Sequence, residues 1–326
     1  MEMEKSRMNN QLLEEYVQIN GIEQYFLHVS NDSESVVIML HGGPGLANSY
    51  LAYFQKPYWD FCNAVYYDQR GAGKTQLKNQ TAAESLTIDL LLEDLRQTIV
   101  YIKKKYKTDK VFLAGHSWGS MLGTQYVLTY PNDVAGYIGY GQGVPGPEQD
   151  RHYYEFVKSE VMKSGNQKHI AAINQVSESF PDILREEYFE QDNIVLGIGF
   201  GCGYDFTAAD VFEIYGNSPT WTNEDEDLLE TIDKLNERLY TDAIFDWEIA
   251  DSTEYSVPVY YILGRHDEMT SSIIAAKYFE KIKAPKKGLY WIENAGHLLD
   301  TDNPRDFFTA LKEIVRNLTE PSNGNG

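Results

Sequence analysis

Ser117 stands between glycines in Gly115-His116-Ser117-Trp118-Gly119, and a serine so flanked is a candidate nucleophile for attack on a carbonyl carbon. Five residues of this kind recur by chance, so their context decides. A buried apolar run, Lys110–Gly115, stops there, and a helical pattern from Trp118 to Tyr130 begins. A sharp strand-to-helix turn holds the hydroxyl above a sheet edge, and side chains larger than glycine on either side would collide with neighbouring backbone. The helix start behind Ser117 offers unpaired N–H groups and a favourable dipole for developing negative charge.

A serine hydroxyl reacts poorly without a base, so a histidine and an acid to orient it are expected. Of the seven histidines, His297 is the best base: it follows Asn294-Ala295-Gly296 on a loop just past the final apolar run. The acid is expected between serine and histidine in chain order, and Asp267 in Gly264-Arg265-His266-Asp267 again lies just past a strand end. Glu268 is its neighbour. In His41-Gly42-Gly43-Pro44-Gly45 the glycines let backbone approach a substrate, and the N–H groups of Gly43 and Trp118 could together hold an oxyanion. This set describes acyl transfer to water through an acyl-enzyme, with no metal or organic cofactor needed.

The elements needed to position these groups are legible as patterns. Glu15–Asn20 and Ile22–Ser30 read as a hairpin joined at Gly21; Val36–Leu40, Ala64–Tyr67, Lys110–Gly115, Val134–Tyr140, Val257–Leu263 and Leu289–Ile292 read as buried strands. Apolar residues at three- and four-residue spacing from Ile88 to Tyr106, and again from Phe307 to Leu318 behind the Asn303-Pro304 start, predict amphipathic helices. Another helix is expected around Ile273–Ile282. Strands alternating with helices imply an α/β fold with a mostly parallel central sheet covered on both faces. Residues 1–142 and 251–320 supply that core, with a helical lid inserted at 143–250. The polar end from Thr319, residues 321–326 in particular, reads as a disordered tail.

The 326 residues carry 49 acidic and 28 basic side chains, a formal net charge of −21. Such a surface repels phosphate backbones and anionic lipid, so neither nucleic acid nor membrane is an expected partner. Two distant cysteines, Cys62 and Cys202, make no disulfide framework or metal spacing. Met1–Gln11 has no apolar run resembling a signal peptide, and no stretch approaches the ~18 apolar residues of a membrane span. The expectation is a cytoplasmic protein acting on a small-molecule or short-peptide substrate, with its oligomeric state open.

With these pieces in place the chain resembles the proline iminopeptidase branch of the α/β-hydrolase family. The matching words are HGGPG at His41–Gly45, DQRGAGKT at Asp68–Thr75, GHSWGS at Gly115–Ser120, GRHDE at Gly264–Glu268 and NAGH at Asn294–His297, in the family's order and across the whole core. The resemblance implies cleavage of N-terminal residues, often proline, from short peptides, with lid and triad-side carboxylates holding the substrate ammonium. Glu268 and Glu237 are the residues it points to for that role. Thr75 and His266 depart from the family's usual residues, and the lid departs most. A carboxylesterase or lactonase using the same triad is the alternative, and a binding protein on a degenerate scaffold a further one. A serine at the turn argues against the haloalkane dehalogenase and epoxide hydrolase chemistries that use aspartate there.

Overall fold

In the computed structural model of the chain, the described residues are 11–144, 146–204, 208–247 and 252–320. Eight strands form one sheet: β1 (Gln11–Ile19), β2 (Ile22–Ser30), β3 (Val36–Leu40), β4 (Asn63–Tyr67), β5 (Val111–Ser117), β6 (Val134–Gln142), β7 (Val259–Gly264) and β8 (Lys287–Ile292). Their spatial order is β1-β2-β4-β3-β5-β6-β7-β8; β1 and β2 are antiparallel, and β3 to β8 run parallel. Several strands are longer than their apolar runs, because backbone pairing continues through polar residues such as Asn63 and Lys287.

The pleat sorts each strand into two cores. Val36, Ile38 and Leu40 of β3 pack with Leu95, Ile99 and Ile102, whereas Val37 and Met39 pack with Phe307, Leu311 and Ile314. The helices of the core are α1 (Ala52–Gln55), α2 (Gly73–Lys78), α3 (Ile88–Tyr106) and α4 (Trp118–Thr129). The Thr87 side chain caps α3 by accepting from Leu90 N at 3.1 Å.

Among the described residues, six helices follow β6: α5 (Pro147–Ser164), α6 (Gln167–Ile173), α7 (Arg185–Ile198), α8 (Ala208–Gly216), α9 (Asn223–Leu229) and α10 (Ile232–Asp246). They bury a core of their own, including Tyr154, Val157, Phe180, Tyr188 and Val195. The chain then re-enters the sheet at β7 and closes with α11 (Ser272–Lys281), α12 (Leu299–Asp302) and α13 (Pro304–Thr319). Thr319 is thus the last residue of α13 rather than the start of a tail; residues 321–326 lie outside the described residues. No helix among the described residues is long and apolar enough to cross a membrane.

Candidate active site

The glycines around Ser117 are there for space. A Cβ on Gly115 would lie 2.3 Å from Gly119 O, and one on Gly119 would lie 2.2 Å from Leu40 O. Both obstacles are backbone, so only glycine permits α4 to start this close to β3. Ser117 itself adopts φ 51° and ψ −119°, left-handed geometry that costs a non-glycine residue on the order of 1–3 kcal/mol. It is the last residue of β5, and Trp118, the first of α4, has an N–H that no helical carbonyl can claim.

His297 follows β8, and Asp267 follows β7. Asp267 Oδ2 lies 3.0 Å from His297 Nδ1, and a carboxylate only accepts, so Nδ1 carries the proton and Nε2 is left as a base. Asp267 and His297 are both buried. Burial alone would raise the Asp267 pKa, but His297 and the N–H and O–H of Thr270 outweigh it and hold the carboxyl below its usual range. Thr270 escaped the sequence reading. Its N–H donates to Asp267 Oδ1 at 2.9 Å, its hydroxyl donates to Oδ2 at 2.9 Å, and Oγ1 lies 3.0 Å from His297 Nδ1. Three positions after Asp267, it ties acid and base into one unit.

His116 sets the other side of His297. Its Nε2 donates to the His297 carbonyl at 2.9 Å, and the two rings lie 4.7 Å apart. Burial, with the His297 charge beside it, pushes the His116 pKa down to about 3, so it stays neutral and holds a fixed tautomer. The glycine-rich loop presses against the same turn: a Cβ on Gly42 would lie 3.2 Å from that of Ser117. Gly43 has φ 109°, and a Cβ there would lie 2.7 Å from two backbone nitrogens, Gly45 N and Leu46 N.

The Asp68–Thr75 segment braces this loop. His41 Nδ1 donates to Gly42 O at 2.8 Å, and His41 Nε2 accepts from Gln69 N at 3.1 Å. Arg70 grips Asp94 through Nε and Nη2 at 2.8 and 3.0 Å, and Thr75 Oγ1 donates to Asp68 O at 2.7 Å. The word's polar residues are therefore spent on scaffolding.

Two cavities open from Ser117. A small one of about 120 Å³ is lined by Gly43, Ser117, Trp118 and Thr270 together with Asp150 and Asp192 from the lid. A larger one of about 450 Å³ also touches Ser117 and Gly43, includes His297, and is walled by core residues together with apolar lid residues such as Phe189, Leu196 and Phe212. The sequence-predicted Ser117, His297, Gly43 and Trp118 thus meet at this junction, with Asp267 directly behind His297.

The two expected ammonium carboxylates do not. Glu237 lies 3.0 Å from Lys234 Nζ and lines neither cavity. Asp233, Asn236 and Tyr240 of the same helix line the large cavity, whereas the Glu237 carboxylate is turned to the exposed Lys234. Glu268 Oε2 instead meets His152 Nε2 at 2.6 Å, likewise outside both cavities.

The carboxylates that line the small cavity with Ser117 are Asp150 and Asp192. Burial raises both, Asp150 to about 7, with the charge of Asp192 adding to the effect, and Asp192 to about 6. Asp192 accepts from Tyr240 Oη at 2.7 Å, while Asp150 has the Tyr188 hydroxyl beside it and its Oδ2 in no well-formed hydrogen bond. Neither has a basic ion-pair partner among the described residues. A sequence signal existed only for Asp192: with Phe189, Asn193 and Leu196 it makes one cavity-facing stripe on α7.

The model of the alpha/beta hydrolase fold family matches residues 35–304, and the chain belongs to that family of hydrolases. Within it the similarity runs to aminopeptidases. The chain is 25% identical over 303 residues to a probable aminopeptidase of Bacillus subtilis (strain 168), covering 91% of this chain and 92% of that one. It is 26% identical over 310 residues to a proline iminopeptidase of Saccharolobus solfataricus, covering 93% and 92% respectively. The solved structure of a proline iminopeptidase-related protein from Thermus thermophilus shares the fold, with TM-score 0.67 at 19% identity over 94% of this chain and 98% of that one.

Proposed function

We propose that the protein is a serine aminopeptidase of proline iminopeptidase type, releasing a small N-terminal residue from short peptides or amides. The observation that carries this reading is the unpaired Asp150–Asp192 carboxylate pair in the small pocket beside Ser117. Buried carboxylates without a cation are costly, and a substrate's free ammonium would supply the missing charge and hydrogen-bond donors. The pocket's volume of about 120 Å³ leaves room for a small residue behind that ammonium.

In this mechanism Ser117 Oγ attacks the scissile carbonyl as His297 Nε2 takes its proton, and Asp267 stabilises the imidazolium that forms. The N–H groups of Gly43 and Trp118 receive the negative charge developing on the carbonyl oxygen. His297 then gives its proton to the departing nitrogen, the C–N bond breaks, and an ester to Ser117 remains. Water, deprotonated by the same histidine, returns the serine.

Prolyl and alanyl arylamides compared with acetyl and butyryl esters test this reading, with a fluorophosphonate probe reporting on Ser117. We expect arylamide turnover that requires a free N-terminus, and covalent labelling that disappears in Ser117→Ala. Ester turnover with no arylamide cleavage would establish the carboxylesterase alternative; labelling equal in the variant would refute the nucleophile.

A further inference from the structure

The large cavity has a charge pattern that the aminopeptidase reading does not by itself require. It lies on the side of Ser117 where His297 sits, and His297 must protonate the departing nitrogen, so the leaving half of the substrate occupies it. Among its lining residues are two carboxylates, Asp233 and Asp300, and neither lysine nor arginine. Asp300 is buried, accepts from Gln55 Nε2 at 2.9 Å, and is raised to about 6 by that burial. Asp233 is exposed as a residue, and partial burial of its carboxyl raises it. His116, on the same wall, is held neutral.

Asn236 adds an acceptor. Its Nδ2 donates to Gly71 O at 3.1 Å and to Ile232 O at 3.0 Å, which fixes the amide orientation. Its Oδ1 is then left buried with no donor, on a residue 2% exposed. Beside the side-chain amides of Asn48 and Asn193 and the Thr301 hydroxyl, the polar side of the chamber therefore offers negative charge and a buried acceptor, and no cation.

We propose, resting on the aminopeptidase reading, that this chamber selects the leaving group by charge: it takes uncharged or cationic amines and rejects a free carboxylate, with Asp233 as a specificity-determining residue. A free dipeptide would carry its C-terminal carboxylate into this chamber, where no cation receives it and two aspartates repel it. The same dipeptide as its C-terminal amide removes that charge and presents N–H donors to the acceptors. The substrates are then aminoacyl amides, or peptides long enough for the terminal carboxylate to lie outside.

The test is kcat/KM for prolyl-alanine against prolyl-alaninamide, in the wild type and in Asp233→Asn, with prolyl-glutamamide and prolyl-lysinamide completing a charge series. We expect the amide to be preferred by at least about tenfold, the equivalent of about 1.4 kcal/mol. The ratio should shrink severalfold in Asp233→Asn through a lower KM for the free dipeptide, and the lysine compound should outrun the glutamate one. Equal turnover of acid and amide, or an unchanged ratio in the variant, would overturn charge selection while leaving the aminopeptidase reading intact. Turnover of none of these compounds, nor of prolyl and alanyl arylamides, would overturn both.

Discussion

Asp150 and Asp192 make opposite contributions to folding and to substrate binding. Their pKa values stand at about 7 and about 6 in the folded chain, above the ordinary value near 4. Between about pH 4 and 7 the folded form keeps protons that the unfolded chain gives up, so their contribution to stability declines as pH rises through that window. Asp150→Asn and Asp192→Asn should each raise Tm at pH 8 and leave it nearly unchanged at pH 4. The same variants should weaken cleavage of prolyl arylamide at pH 8 by about 10–100-fold, chiefly through KM, as loss of a charged hydrogen bond predicts. In the wild type, KM should fall as pH rises from 5 to 8 and the pair ionises. Thermal melts and a KM–pH profile check both signs. The residues we propose to react were legible in the sequence because Ser117 ends a strand and Asp267 and His297 lie on the loops just past two others, and strand ends can be read from apolar runs. Of the lid acids, Asp192 left only a helical stripe and Asp150 no signal, because α5 and α7 bring the two to one pocket through tertiary packing that no local pattern records.

Among the polar contacts that fasten the lid to the core, one is a buried ion pair. Asp225, in the first turn of α9, accepts from Thr222 N at 2.7 Å as part of a capping box and from Tyr50 Oη at 2.7 Å, and it meets Lys74 Nζ of α2 at 2.5 Å. Lys74 belongs to the Asp68–Thr75 segment that braces the glycine-rich loop, so lid docking and that loop share a support. Removing one partner of a buried pair leaves the other uncompensated, at about 3–5 kcal/mol. We expect Asp225→Ala to lower Tm and to move the first cut in limited proteolysis to the α8–α10 region, and adding Lys74→Met to recover part of the loss. Melting curves and mass mapping of the first fragments are the readout. Strand and helix types in the core followed from periodicity, since buried β3 and amphipathic α13 could be nothing else. The lid helices were legible only as a helical stretch, because their apolar residues face one another and the cavity at once.

At the scale of the whole molecule, a net charge of −21 surrounds a site that we read as taking a cationic substrate. Such a field raises the local concentration of aminopeptides and is screened by salt. Between about 0.01 and 1 M ionic strength the screening length shrinks from about 30 to about 3 Å. Stopped-time assays across that range should show kcat/KM for a prolyl amide falling severalfold, with kcat nearly constant; a neutral acetyl ester should show no such trend. The chain's layout has another consequence. β6 and β7 are neighbours in the sheet, paired from Tyr137↔Val259 onward, and the helices α5 to α10, which supply Phe189, Leu196 and Phe212 to the cavity wall, are threaded between them. The residues we propose to react sit on segments before and after these helices. Two splice points would therefore suffice to graft a different roof onto the same chemistry, so descendants of one ancestor could change diet by recombination in a single segment while inheriting the machinery intact.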